Sequence, residues 1–235
     1  MNRKTICLAL MIALSAAFPA KDTAAQDSKD TLSTFPLDSL DGLEFANAKA
    51  EVVTYDGRRA LHLVPLPGHG NGDQAMFGTV TGTDFKDGTI EVDVAGKPRA
   101  GASAEMRGFV GVVFRSQSQG ARGETFYLRP TNGRADDQLR RNHSVQYESD
   151  PDYPWFRLRK ESPGVYESYV DLVAGAWTKL KIEVSGTKAR LYVDGADHPC
   201  LIVNDLKLGD SRGQIALWAH ETTEGYFSNL TVKRK

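Results

Sequence analysis

The chain has 235 residues, and 29 basic side chains against 30 acidic ones give it a formal net charge of −1 at pH 7. This balance excludes the basic surface that a nucleic-acid-binding domain presents, so we expect no nucleic-acid partner. Only two cysteines are present, and Cys7 lies in the N-terminal segment that we predict to be removed. The mature chain therefore has no disulfide partner for Cys200 and must be stabilised by burial of a core.

The N-terminus has the three parts of a secretory signal. Arg3 and Lys4 precede an apolar run over residues 6–17, and small residues follow at 23–25. This order predicts a signal peptide over residues 1–25 and export to the periplasm or the cell exterior. The apolar run is shorter than the roughly 20 residues that cross a bilayer, so we expect no membrane insertion after cleavage.

Residues 26–34 are polar and are predicted to be a linker, while residues 35–235 form one domain of short alternating runs broken by glycine, asparagine and aspartate. This pattern is typical of strands and turns. Strands are predicted over residues 51–55, 60–65, 76–80, 88–94, 108–115, 124–130, 144–148, 165–171, 177–184, 189–193, 201–204, 214–220 and 226–233. The one predicted turn of helix covers residues 135–141.

The hairpin over residues 177–195 shows the alternation best. Leu180, Ile182 and Val184 lie on one face, and charged or polar residues occupy the positions between them. The turn at residues 185–188 then returns the chain. Many such strands at spacings of roughly 8–12 residues predict an all-β fold with two antiparallel sheets packed as a sandwich.

The order GTIEVDV, FVGVVFR, the hairpin ending in VDG, GQIALWA and GYFSNLTV resembles the concanavalin A-like or laminin-G-like jelly roll. It is most similar to the 3-keto-disaccharide hydrolase type of domain, also described as family-16-glycoside-hydrolase-like. The resemblance covers residues 35–235 and implies a jelly-roll sandwich whose concave sheet is the ligand surface. It implies further that Phe114-Arg115 and Gln146 with Glu148 contribute to that surface. Because this fold carries lectins, hydrolases, lyases and inert spacers, it does not fix the chemistry.

Alternation within three of the strands predicts a polar patch on one sheet. If the aliphatic neighbours face the core, the intervening side chains share the opposite face. The predicted members of this patch are Arg115, Tyr127, Arg129, Gln146 and Glu148. Planar guanidinium and amide groups match the hydroxyls of a pyranose, and an aromatic ring covers its C–H face.

Residues 149–154 contain two prolines and two aspartates, so they are predicted to form a loop rather than a central strand. We expect this loop to rise over the patch and to bring Tyr153, Trp155 and Arg157 toward a saccharide. The alternative is that the arginines and carboxylates form a lattice of salt bridges, while Trp155 and Phe156 close the edge of the sandwich.

His143 is the only histidine near the patch, and its unperturbed pKa lies near neutrality. It is the candidate general acid or base, with Glu148 or Asp150 as partner, and the alternative is a hydrogen-bonded structural histidine. Glu91 and Asp93 supply only two of the three carboxylates of the family-16 catalytic strand. The usual retaining mechanism is therefore incomplete.

No metal site and no cofactor is predicted. Residues 220–224 imitate part of a zinc-protease motif but lack its second histidine and its helix. Calcium is a structural ligand in the resembling superfamily, yet no loop here has the alternating oxygen ligands of a calcium site.

Three functions remain open. The first is an exported carbohydrate-binding domain. The second is a glycoside-cleaving enzyme, a hydrolase or a lyase, with 3-keto-glycosides among its candidate substrates. The third is a non-catalytic protein-interaction domain, in which arginine and tyrosine anchor an interface. The sequence leaves the sugar and the oligomeric state undetermined.

Overall fold

A computed structural model describes residues 31–235. The predicted signal peptide and residues 26–30 of the predicted linker lie outside this range. The strands are β1 (Thr31–Phe35), β2 (Leu43–Ala46), β3 (Ala48–Tyr55), β4 (Arg58–Pro65), β5 (Ala75–Phe85), β6 (Gly88–Pro98), β7 (Val110–Gln117), β8 (Arg122–Leu128), β9 (Val145–Asp150), β10 (Glu167–Ser168), β11 (Thr178–Ser185), β12 (Lys188–Val193), β13 (Leu201–Val203), β14 (Gly213–His220) and β15 (Thr223–Arg234). The α-helices are α1 (Gln138–Arg141) and α2 (Trp155–Glu161).

The strands form two antiparallel sheets. Sheet A has the order β13-β12-β11-β6-β15-β4-β3, and β1 also pairs with β15. Sheet B has the order β10-β9-β8-β7-β14-β5-β2. The predicted all-β, two-sheet sandwich is confirmed, and every predicted strand overlaps an observed one.

Two predictions about local structure need correction. Residues 31–34, predicted as linker, belong to β1, where Thr31 pairs with Arg234 and Phe35 with Leu230. An edge strand needs backbone pairing on only one side and can be polar on both faces, so it carries no apolar alternation to detect. The helix predicted over residues 135–141 is confined to α1, and α2 lies in a segment for which no helix was predicted.

The core lies between the two sheets and follows the predicted alternation. Ile90 and Val92 of sheet A are fully buried, as are Phe114 and Phe126 of sheet B. Full burial of such a side chain stabilises the fold by about 1.5–3 kcal/mol. Cys200 is a free, half-buried thiol against this core, and burial raises its pKa to about 11. Among residues 31–235, no helix is long and apolar enough to cross a membrane.

Candidate functional site

A pocket of about 580 Å³ opens on the outer face of sheet B. Because Phe126 and Leu128 point into the core, Tyr127 between them points outward. Tyr127 of β8 and Trp218 of β14 lie on either side of Gly111 in β7, with ring centroids 4.8 Å apart, and both are almost fully buried. Phe109 packs edge-on against Tyr127 at 6.2 Å. These rings form a packed aromatic floor.

The wall of the pocket carries aromatic rings that are accessible to solvent. Trp155, the first residue of α2, is 39% exposed, and Phe156 beside it is 60% exposed. Their rings meet edge to face with centroids 5.8 Å apart. The Trp155 ring is also flanked by the guanidinium groups of Arg129 at 5.5 Å and Arg159 at 4.7 Å. An exposed indole is therefore held in place at the entrance.

Arg129 lies between the floor and the wall. Its Nη2 donates to the Tyr127 hydroxyl at 2.8 Å, and its Nη1 donates to Oε1 of Gln146 at 3.0 Å. The Gln146 amide nitrogen donates to the backbone carbonyls of Tyr147 and Tyr166. Gln146 is on the predicted face but fully buried, so it orients Arg129 and does not line the pocket.

Glu167 of β10 is a buried carboxylate behind the pocket that contacts two guanidinium groups and one imidazole. Arg159 donates to it from Nη2 at 2.6 Å, His143 Nε2 lies 3.2 Å from its Oε1, and Arg129 Nη1 lies 3.8 Å from its Oε2. Burial, followed by Arg159 and Arg129, lowers the pKa of His143, and the charge of Glu167 opposes that shift. Glu167, Arg159, Arg129 and His143 are called the Glu167 cluster below.

Glu148 and Asp150 follow each other on the outward face of β9 and both line the pocket. Glu148 is 5% exposed, and its Oε2 accepts the backbone N–H of Trp155 at 3.1 Å. Burial and the neighbouring Asp150 raise the pKa of Glu148 to about 8, against the opposing effects of that N–H and of Arg129. Burial also raises the pKa of Asp150. Glu148 is therefore largely protonated at neutral pH and can donate a hydrogen bond.

The structure brings five of the predicted site residues to this pocket. They are Tyr127, Arg129, His143, Glu148 and Trp155, and Asp150, the alternative partner considered for His143, lines the pocket as well. His143 also fits the structural alternative, because its Nε2 is engaged by Glu167. Likewise, the predicted lattice of salt bridges exists as the Glu167 cluster, and it supports the pocket rather than replacing it.

Arg115 is the first correction to the predicted patch. Its backbone has φ +52°, at a register shift between Phe114 and Gln117, so the period-two alternation is interrupted there. The side chain is fully buried at one end of the sandwich. It donates to the backbone carbonyls of Lys86, Gly186 and Gly209 and pairs with Asp87 at 3.2 Å.

Tyr153 and Arg157 are the second correction, because neither lines the pocket. The segment becomes helical at Trp155, so the residue one turn later, Arg159, shares its face. Arg157 instead stacks on Tyr153 at 4.3 Å and pairs with Glu161 at 2.8 Å. An extended chain would have placed Trp155 and Arg157 together.

Several pocket residues were not predicted from the sequence. They are Arg107, Phe109, Arg140, Arg159 and Trp218, with Glu167 behind them. Glu167 alternates with the core residue Tyr166, which is a signal that could have placed it on the outer face. Glu167 lies near the pocket because β10 pairs with β9, which places Glu167 opposite Gln146. Alternation does not specify which strands are neighbours.

The opposite rim of the pocket contains the motif that imitated a zinc site. His220 lines the pocket and lies 3.0 Å from Asp73. Glu221 is turned away and buried, and its two oxygens accept the backbone N–H groups of Gly70 and Gln74. No group of three or more metal-ligating side chains is found among residues 31–235. Glu221 holds a loop in place.

Comparison with known proteins supports the fold. No family model matches the chain, and a search of curated proteins finds no match. The chain is similar to the carbohydrate-binding module CBM66 from Bacillus subtilis, with a TM-score of 0.54 and 16% identity over 81% of this chain and 95% of that one. The chain is also similar to a protein of unknown function with a galectin-like fold from Bacillus subtilis. The TM-score is 0.51, and the identity is 13% over 86% of this chain and 96% of that one.

A putative glycosyl hydrolase from Parabacteroides distasonis gives a TM-score of 0.51 and 14% identity over 86% of this chain and all (100%) of that one. These identities are too low to carry a shared activity, but the similarity in structure extends over most of each chain. The predicted concanavalin A-like jelly roll is confirmed as a fold. Residue roles must be argued from this chain's own geometry.

Proposed function

We propose that this protein is an exported carbohydrate-binding domain, and that the pocket on the outer face of sheet B holds its saccharide. The observation that carries the proposal is the half-exposed indole of Trp155, fixed beside a pocket of about 580 Å³ whose walls combine aromatic rings with charged side chains. Pockets that take small ligands fall in the range of roughly 300–1,000 Å³. Structural neighbours include a carbohydrate-binding module, which is consistent with this use of the fold.

Each part of the pocket suits a sugar ring. The Trp155 ring can cover the apolar C–H face of a pyranose with little loss of side-chain entropy, because α2 and two guanidinium groups already orient it. Arg129 offers planar N–H donors for paired hydroxyls. Glu148, when protonated, adds a donor as well as an acceptor. The tightly packed floor of Tyr127 and Trp218 excludes water from beneath the sugar ring.

A pair of aromatic variants tests this proposal. Trp155 and Tyr169 have nearly the same exposure, 39% and 40%, but Tyr169 contacts Arg141 outside the pocket. We expect Trp155→Ala to weaken glycan binding about 10-fold or more, and Tyr169→Ala to leave it unchanged. Binding would be measured by calorimetry on residues 26–235 with oligosaccharides found in a glycan array. Equal losses in both variants, or no glycan bound by the wild type, would overturn the proposal.

Glycoside cleavage is the second candidate function, and the carboxyl pair of β9 favours it. Glu148 holds a proton at neutral pH beside Asp150, which gives the site a proton donor and a second carboxyl group. The test is the appearance of new reducing ends, unsaturated products or altered 3-keto-glycosides. Turnover that disappears in Glu148→Gln would replace the binding-only proposal. A protein that co-purifies while all glycans fail would favour the interaction alternative.

A further inference from the structure

Four guanidinium groups line the pocket, and they differ in how their charge is balanced. They belong to Arg107, Arg129, Arg140 and Arg159. Arg129 and Arg159 lie against the single carboxylate of Glu167. Arg107 pairs at 3.0 Å with Glu105, whose side chain is 81% exposed and therefore well solvated. Arg107, Arg129 and Arg159 thus each have a carboxylate partner within the protein.

Arg140 has none. Its Nε lies 3.4 Å from the amide oxygen of Asn132, a long contact with a neutral group. Within residues 31–235, no carboxylate oxygen lies within 4.0 Å of its guanidinium. Asp137, the nearest acidic residue on its own helix, accepts the backbone N–H of Arg140 as the N-terminal cap of α1. The charge of Arg140 consequently faces the pocket uncompensated.

The surroundings of Arg140 add to its positive potential. Arg107 lies close enough that Arg140 and Arg129 both lower its pKa, in addition to the larger effect of burial. Across the pocket, Glu148 is largely neutral, and the carboxylate of Asp73 is fully exposed to water, which screens its charge. A cleft with clustered positive charge and low-dielectric walls concentrates its field on a ligand of opposite sign.

We propose that the bound saccharide carries an anionic group and that Arg140, assisted by Arg107, is the residue that binds it. This inference rests on the proposed function and specifies the class of sugar. The shared chemistry is an oxyanion with two or more acceptor oxygens, which a guanidinium can engage in a bidentate manner. Two sources provide it, the carboxylate of a uronic acid and a sulfate ester.

The experiment uses matched pairs of oligosaccharides, with residues 26–235 as the protein. One arm compares a galacturonic acid tetrasaccharide with its methyl ester, and the other compares a sulfated galactan tetrasaccharide with its desulfated form. We expect the acidic member of one pair to bind about 10-fold more tightly than its neutral counterpart. The arm that shows this preference identifies the anion.

Two adjacent arginines provide the variant and its control. Arg140→Gln should reduce the preference for the acidic member to within about threefold. Arg141→Gln removes the same charge from the same helix, but Arg141 contacts Tyr169 outside the pocket, so the preference should persist. Added salt should weaken acidic binding in the wild type more than in Arg140→Gln.

The outcomes separate this inference from the proposed function. If the array yields only neutral glycans and neither acidic member is preferred, the anionic class is wrong while the saccharide site stands. If acidic binding survives in Arg140→Gln, the residue assignment is wrong. If no glycan of either kind binds the wild type, the proposed function fails, and this inference fails with it.

Discussion

The backbone N–H of Trp155 donates a hydrogen bond to Oε2 of Glu148, 3.1 Å away. This contact joins the start of α2 to the outward face of β9. The indole at the pocket entrance is thereby positioned by a carboxyl group of the sheet below it. A buried carboxyl group in this position has consequences that can be measured.

The first prediction concerns the pH dependence of stability. The pKa of Glu148 is raised from 4.5 to about 8 in the folded protein, so the folded state binds the proton more tightly than the unfolded state. This contribution to stability is complete below pH 4.5 and is lost as the pH rises toward 8. Relative to Glu148→Gln, the wild type should lose up to about 1.4 kcal/mol of unfolding free energy per pH unit in this window.

Urea denaturation at a series of pH values measures this difference. Glu161→Gln is the control, because Glu161 is exposed and pairs only with Arg157 on the surface of α2. Its stability profile should run parallel to that of the wild type. A wild-type profile parallel to that of Glu148→Gln would show that folding does not raise the pKa of Glu148.

The second prediction concerns Glu167, the buried counter-charge of its cluster. Glu167→Gln keeps the shape but leaves Arg159, Arg129 and His143 without a carboxylate. We expect a loss of about 3 kcal/mol of unfolding free energy. This is the lower limit of the cost of breaking a buried ion pair, because Arg159 is partly exposed to water. The pKa of His143 should fall further, since Glu167 is the larger of the two carboxylate charges that raise it, the other being Asp137.

Calorimetric or urea unfolding measures the stability change, and NMR titration of the His143 ring measures the pKa. Glu183→Gln removes a carboxylate that pairs with Lys181 on the outer face of sheet A, and should cost no more than about 1 kcal/mol. An unchanged or higher pKa of His143 in Glu167→Gln would contradict the assigned role of Glu167.

The third prediction separates the fold from the pocket. Arg115→Met removes the fully buried guanidinium that pairs with Asp87, and leaves three backbone carbonyls without their donor. We expect a loss of about 3–5 kcal/mol of unfolding free energy, with glycan affinity per folded molecule unchanged. Arg122→Met, which breaks an exposed pair with Asp152, should cost less than about 1 kcal/mol. Lost affinity in folded Arg115→Met would place this residue in binding after all.

The sheet faces could be predicted because a strand in a sandwich alternates with period two. Phe126 inward and Tyr127 outward follow from that rule alone, as do Tyr147 inward and Glu148 outward. The rule holds wherever the strand is regular. It does not hold at Arg115, where a bulge with positive φ turns the side chain into the end of the sandwich.

The helical wall could not be predicted by the same rule, because the period changes at Trp155. The two prolines indicated a loop, but a helix follows Pro154. Arg159, one turn after Trp155, therefore lines the pocket, and Arg157 does not. Glu167 depends on a longer-range fact, the addition of β10 to the edge of sheet B beside β9. Strand neighbours are set by the whole topology, and no local pattern contains that information.

The fourth prediction concerns the loop that forms the rim opposite Trp155. Glu221 accepts the backbone N–H groups of Gly70 and Gln74 at 2.7 and 2.8 Å, and Asp73 between them lines the pocket. In Glu221→Gln an amide replaces one of these acceptors, so one N–H loses its partner at a cost of about 1–3 kcal/mol. Local opening of the loop should then become easier, because the free energy of opening depends on such contacts.

Hydrogen exchange of the Gly70 and Gln74 amides measures this opening directly, and exchange should be faster in Glu221→Gln at both positions. Glycan affinity should fall by a smaller factor than in Trp155→Ala, since the loop forms one rim and contributes no exposed ring. Glu224→Gln is the matched control, because Glu224 pairs with Lys97 away from this loop. Unchanged exchange at Gly70 and Gln74 would mean that the loop is held by its other contacts, including that of His220 with Asp73.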